Sequence, residues 1–306
     1  MKNKYIIGLG CSWTQGEGGY PEEVVKKNNG RVQQFARKGG DPELAPYERE
    51  NSWVNVLCRD HFLEYTPMNL GVKGIGNKAA VHQLHFCDKI DWDNSTGIIV
   101  LMWSGFERLD FVQQQPLGDD GDDGYDDGYS DNTFRHYKWN TAWPFESSNP
   151  HSGPIWNAYA KCLWSEQFVA VNQMLALLDL QTFAKAHGFK VVVANGFNYP
   201  AAAGPDGSNS ITPDKYLEKY SGTLFKKFDW STYVNADTEY VSFIQKLIWE
   251  DNKIPPEEWG RWFEFYRSLD WPSEYLTNCE GAHPTIKGYK VIANELANFI
   301  KKQGYA

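Results

Sequence analysis

The chain has 306 residues and a formal net charge of −9, with 42% hydrophobic and 15% aromatic residues, ample apolar material for the core of one domain. The acidic balance, with no clustering of Lys and Arg, excludes a nucleic-acid partner, and no run approaches the ~18 apolar residues of a membrane span. Five scattered cysteines, at 11, 58, 87, 162 and 279, form no Cys-x-x-Cys pair, so they read as reduced thiols and not as a disulfide framework or a zinc site.

Lys2 and Lys4 ahead of a short apolar run loosely mimic a secretion signal. The run is brief and no small-x-small cleavage site follows, so the segment reads as mature structure, expected in the cytoplasm or on a virus particle. Residues 6–9 form the first predicted strand. The glycines at 8, 10 and 16 then let the chain turn and leave Ser12 at the strand's carboxyl end. Ligands bind at that edge of open α/β sheets, which makes the Ser12 hydroxyl a candidate nucleophile.

Apolar runs at 68–70, 98–103 and 191–194 read as further buried parallel strands, with helices between them. Their carboxyl ends would gather Ser12, Gly74, Ser104 and Asn195 around one cleft. A helix is predicted from about 165 to 187, capped by Ser165 and stopped by Gly188, with Phe168, Val171, Leu175, Leu178 and Phe183 at helical spacing. Two insertions interrupt the pattern, at about 110–160 and 198–230. The first holds the acidic run 119–128, whose spacing breaks the calcium-loop pattern and which reads as a solvated loop. The second holds Pro200, Gly204, Pro205, Gly207 and Pro213 and also reads as loop. Both would overhang the cleft, shape its pocket, or meet a protein partner. Thirteen tryptophans are many for this length. Most would fill the core or hold loops, and as a group they favour a carbohydrate-like ligand over a lipid.

Near the end of the chain, Glu280 lies three residues before His283, and Pro284 follows. Residues three apart in a tight turn face the same side, so Glu280 would accept the Nδ1 proton of His283 and leave Nε2 free to deprotonate Ser12. A helix from about 286 to 302, with Ile292, Leu296 and Phe299 inside and Lys301 and Lys302 at its negative end, would anchor that loop. Competing motifs fail. The first glycine turn lacks the third glycine of a dinucleotide fingerprint, no Gly-Lys-Ser/Thr follows for a phosphate loop, and Thr14 stands where a nucleophile elbow needs glycine.

Three blocks carry a family likeness: Gly10-Cys11-Ser12-Trp13-Thr14-Gln15-Gly16, Asn69-Leu70-Gly71-Val72-Lys73-Gly74-Ile75-Gly76-Asn77, and Glu280-Gly281-Ala282-His283-Pro284. In this order they resemble the SGNH, or GDSL-like, hydrolases. The resemblance implies a three-layer α/β/α sandwich with a mainly parallel, flavodoxin-like sheet over the whole chain. It also implies a cofactor-free and metal-free serine esterase with Ser12, His283 and Glu280 as its triad. The N–H groups of Ser12 and Gly74 would line the oxyanion hole, and Asn77 and Arg108 would meet the substrate. Three departures stand out. Cys11 replaces the aspartate before the nucleophile, Glu280 replaces the triad aspartate, and the third block, Val100 to Arg108, lacks the asparagine that donates to the oxyanion. Ser104 or the Gly105 N–H would have to stand in. Losing one such donor costs roughly 100- to 1,000-fold in rate. The reading is therefore an acyl-ester hydrolase, acting on O-acetyl groups of a carbohydrate. The alternative is a non-catalytic carbohydrate-binding or structural protein, for instance of a phage particle, that keeps the fold.

Overall fold

The computed structural model describes residues 2–27, 45–72, 75–104, 109–114, 137–142, 153–196, 213–234, 242–252, 273–277 and 283–306. The strands are β1 (Asn3–Leu9), β2 (Thr66–Asn69), β3 (Ser95–Trp103), β4 (Leu109–Gln114), β5 (Tyr137–Ala142) and β6 (Phe189–Asn195). Four of them form an all-parallel sheet in the order β2-β1-β3-β6, while β4 and β5 pair as a separate antiparallel hairpin. Runs such as Ile98-Ile99-Val100 and Val191-Val192-Val193 are buried throughout. A strand covered on both faces needs such a run, and its β-branched residues suit the pleat.

The helices are α1 (Ser12–Gln15), α2 (Glu22–Lys27), α3 (Ala45–Asn51), α4 (Trp53–His61), α5 (Asn77–Phe86), α6 (Gly153–Cys162), α7 (Glu166–His187), α8 (Pro213–Ser221), α9 (Phe243–Asn252) and α10 (Ile286–Lys302). From β1 the chain steps outward to β2, then returns past β1 to β3 and on to β6. Crossovers of this kind are right-handed, so the reversal sends α4 to one face and α5 and α7 to the other. The packing follows that rule: α4 lies against β1, β2 and α10, while α7 lies against β3, β6, α5 and α8. The protein is thus a mixed α/β fold with helices on both faces of a parallel sheet. The carboxyl ends of β1 and β3 meet where the strand order reverses, which is where open sheets hold ligands.

Two expectations need correction. Helix α7 has its predicted ends: the Ser165 hydroxyl accepts from the Phe168 N–H at 3.0 Å, and Gly188 closes it at φ 74°. Of the expected inner residues, Phe183 is buried and Leu178 packs half-buried against the core, but Phe168 and Leu175 are exposed, and the buried face runs through Val169, Ala170, Gln173, Met174, Leu177, Leu180, Phe183 and Ala184. Ala170, Ala176 and Ala184 share that face with the larger Met174, Leu177 and Leu180, so side-chain size alone does not mark it. The stretch 198–230 is also not all loop. Pro213 opens α8, where its missing N–H costs nothing and its fixed φ suits the first turn, and Tyr216 and Leu217 are buried beneath it. Turns of 3-10 helix follow at 222–227 and 230–232. The acidic run 119–128 lies outside the described residues. Among those residues, no helix is long and apolar enough to cross a membrane.

Candidate active site

Ser12 is the first residue of α1, directly beyond the end of β1, with Cys11 as the capping residue. Three features hold this turn. The buried Thr14 hydroxyl donates to the Leu9 carbonyl at 3.2 Å. The chain beyond β2 runs alongside, with Leu70 N–H on the Gly8 carbonyl at 2.9 Å and Val72 N–H on the Gly10 carbonyl at 3.0 Å. The Asn69 amide then donates to the Thr14 and Gln15 carbonyls at 2.8 and 3.3 Å, closing the end of the short helix, while its Oδ1 accepts from the Gly71 N–H at 2.9 Å. Gly71 is required by this approach, because a Cβ there would lie 2.7 Å from the Thr14 carbonyl carbon.

His283 arrives from the other end of the chain. Residues 275–277 pair antiparallel with 283–285, through Thr277 N–H to the His283 carbonyl at 2.7 Å and Thr285 N–H to the Tyr275 carbonyl at 2.9 Å. The Thr285 hydroxyl then caps α10 by accepting from the Gly288 N–H at 3.3 Å. Ile292 and Leu296 are fully buried, and Phe299 packs partly buried against the core. Gly18, at φ 96°, lets the two loops touch: a Cβ there would stand 2.6 Å from the Pro284 carbonyl oxygen and 3.0 Å from the His283 Cβ. The Tyr289 hydroxyl of α10 donates to the Glu17 carbonyl at 2.8 Å, joining the histidine helix to the same turn.

These constraints bring His283 Nε2 to 2.7 Å from Ser12 Oγ, across 271 positions of sequence. The two residues are only 8% and 9% exposed. A serine hydroxyl becomes a useful nucleophile when a base stands at this range. The same Nε2 also lies 3.2 Å from Glu17 Oε2, and Glu17 is likewise 9% exposed. Behind Glu17, the Glu48 carboxylate accepts from the Tyr20 hydroxyl and from Gln15 Nε2. Burial, then Glu48, pushes the Tyr20 phenol up; burial, then Glu17, pushes Tyr289 up. Both phenols therefore remain neutral donors.

Glu280, Gly74, Gly105 and Arg108 lie outside the described residues. Asn77 and Ser104 are described, and they require correction. Asn77 is 2% exposed and turned inward. Its amide donates to the Ser104 carbonyl at 3.2 Å and to Gln173 Oε1 at 2.9 Å, and its Oδ1 accepts from the Ser104 N–H at 2.8 Å and hydroxyl at 3.1 Å. All four hydrogen-bonding positions of the carboxamide are filled, so Asn77 faces the protein and not a substrate. For the same reason the Ser104 N–H is committed to Asn77 instead of an oxyanion. Asn195 ends β6, 2% exposed.

Glu17, beside His283 in the structure, is not among the residues the sequence points to. The available signal was a carboxylate five positions after Ser12, between Gly16 and Gly18 in the same glycine-rich turn. The clamp role of Asn69 was missed too, although it opens the second block. Among the described residues, no three His, Cys, Asp or Glu side chains converge to hold a metal ion. No family model matches this chain, and no curated protein matches it.

Proposed function

We propose that the chain is a serine ester hydrolase of the SGNH type, with Ser12 as nucleophile and His283 as general base, acting on acyl groups such as the O-acetyl esters of a carbohydrate. The observation that carries this reading is the 2.7 Å contact between Ser12 Oγ and His283 Nε2 at the carboxyl edge of the sheet. The strand order β2-β1-β3-β6 agrees with it, since a doubly wound sheet of this order opens its crevice beside β1 and β3. The substrate class rests on the aromatic-rich insertions.

In this mechanism Ser12 Oγ attacks the ester carbonyl carbon, the C=O electron pair moves onto oxygen, and the serine proton passes to Nε2. Collapse of the tetrahedral intermediate expels the alcohol, which takes that proton from Nε2. Water then repeats both steps on the acyl-enzyme and releases the acid. Glu280 orients His283, and the N–H groups of Ser12 and Gly74 receive the oxyanion. With the Ser104 N–H and hydroxyl bonded to Asn77, the Gly105 N–H is left as the third-block donor to the oxyanion.

The test is a fluorophosphonate probe read by intact mass, on wild type, Ser12→Ala and His283→Ala. An adduct on wild type that both substitutions abolish supports the reading. A folded wild-type protein that takes no adduct overturns it and favours a carbohydrate-binding or structural role.

A further inference from the structure

We propose that Glu17 is a positioning residue that holds the Nε2 proton of His283 in the resting protein, competing with Ser12 for the same nitrogen. This rests on the Ser12–His283 reading above and adds a control to it. A ring nitrogen presents either one N–H or one lone pair in the ring plane. Glu17 Oε2 at 3.2 Å is a carboxylate oxygen, which only accepts, so it calls for an N–H. Ser12 Oγ at 2.7 Å must donate if it is to lose its proton, so it calls for the lone pair. One nitrogen satisfies only one of them at a time. The site therefore has a latched state, with Nε2–H donating to Glu17, and an armed state, with Ser12 O–H donating to a bare Nε2.

The surroundings favour the latched state. Near Glu17 are Tyr289 from α10, whose hydroxyl donates to the Glu17 carbonyl, and Tyr20; Glu48 from α3 acts on both phenols, and Cys11 on Tyr289. Burial keeps the two phenols neutral, and Glu48 already accepts from Tyr20 and Gln15. In a site this enclosed, an opposite charge beside a titratable group favours its charged form. Glu17 thus delays loss of the imidazolium proton, and the couple arms at a higher pH than it would with a neutral residue at 17. The backbone is suited to the task, since the Tyr289 bond and the close contact at Gly18 fix where Glu17 stands against His283.

The experiment is a pH titration of the His283 imidazole by NMR on the full chain carrying labelled histidine, assigned by His283→Gln, for wild type, Glu17→Gln and Glu17→Asp. Fluorophosphonate labelling rates are measured across the same pH range. Glu17→Gln should lower the His283 midpoint by about 1–3 units, and labelling at mildly acid pH should quicken by about tenfold for each unit. Glu17→Asp keeps the charge but loses reach, and should fall between the other two. A midpoint unchanged from wild type in Glu17→Gln overturns the proposal; if that variant does not fold, an unchanged midpoint in Glu17→Asp does so. The titration needs no turnover. A shifted midpoint without covalent labelling therefore supports the latch and counts against the hydrolase reading alone.

Discussion

Replacing Asn77 with alanine tests whether one buried carboxamide ties the end of β3 to the start of α5. The side chain makes four hydrogen bonds, three of them with Ser104 and one with Gln173. The Ser104 hydroxyl has the Ile75 carbonyl at 3.4 Å as a second acceptor, so its loss is cushioned. The Ser104 N–H and carbonyl, in a residue 3% exposed, lose the partner described here. Each stranded buried group costs about 1–3 kcal/mol, and with the lost donor to Gln173 the total is about 3–5 kcal/mol. Unfolding entropy of about 2.1 cal/mol/K per residue, over 306 residues, gives about 0.6 kcal/mol per degree, so the melting temperature should fall by roughly 5–8 °C. Thermal unfolding followed by circular dichroism, with urea titration beside it, reads this directly. Asn77→Asp keeps both accepting functions, loses both donors and introduces a charge, so it should also destabilise. If Asn77→Ala unfolds within about 1 kcal/mol of wild type, water or a rearranged loop satisfies Ser104 and the argument from buried polar groups fails here.

Gly18→Ala should slow probe labelling of Ser12 by about 10- to 100-fold while far-ultraviolet circular dichroism stays native. The reason is that a Cβ 2.6 Å from the Pro284 carbonyl oxygen, at a left-handed φ of 96°, forces the backbone beside His283 to shift, and small misplacement of a catalytic group is costly to chemistry; unchanged labelling would show that the loop yields without cost. Alkaline stability follows from Tyr20, Tyr233 and Tyr289, whose phenols burial pushes up. In the unfolded chain these groups lose protons near pH ~10 while the folded protein keeps them. Stability is therefore retained below that pH and falls above it, by up to about 1.4 kcal/mol per pH unit for each phenol. Urea titrations between pH 8 and 11 should show the decline, and Tyr20→Phe should lessen its slope; an equal slope in that variant would mean that Tyr20 ionises in the folded state.

Local rules reach a definite distance into this chain. The runs at 98–103 and 191–194 read as strands because a buried parallel strand must be apolar on both faces, and residues 95–103 and 189–195 are strands in the structure. Ser165 and Gly188 mark the ends of α7 because an N-terminal hydroxyl and a left-handed glycine each satisfy backbone groups within a few residues. The buried face of the same helix was legible only in part, at Phe183 and Leu178. Leu175 outranks Ala176 in apolar character, yet Leu175 is exposed and Ala176 buried, since the spacing to packed neighbours decides which fits. Pro213 looked like a loop residue because proline also starts helices, and only the burial of Tyr216 and Leu217 separates the two cases.

The candidate site divides in the same way. Sequence alone determined that a serine follows the first strand inside a glycine turn, and that a histidine precedes an amphipathic helix late in the chain, because those are matters of neighbouring residues. The resemblance also put Asn77, the last residue of the second block, against the substrate. Tertiary structure decided that Asn77 turns inward, because Ser104, which is 27 positions away, supplies partners for both ends of its amide. It decided too that Glu17 stands on the Nε2 side of His283. That contact depends on two loops that approach closely enough to touch at Gly18, and on Tyr289 reaching back 272 positions to hold the Glu17 carbonyl. No local propensity encodes such distances. They arise only when the reversed strand order and the packing of α10 on α4 bring the two ends of the chain to one edge of the sheet.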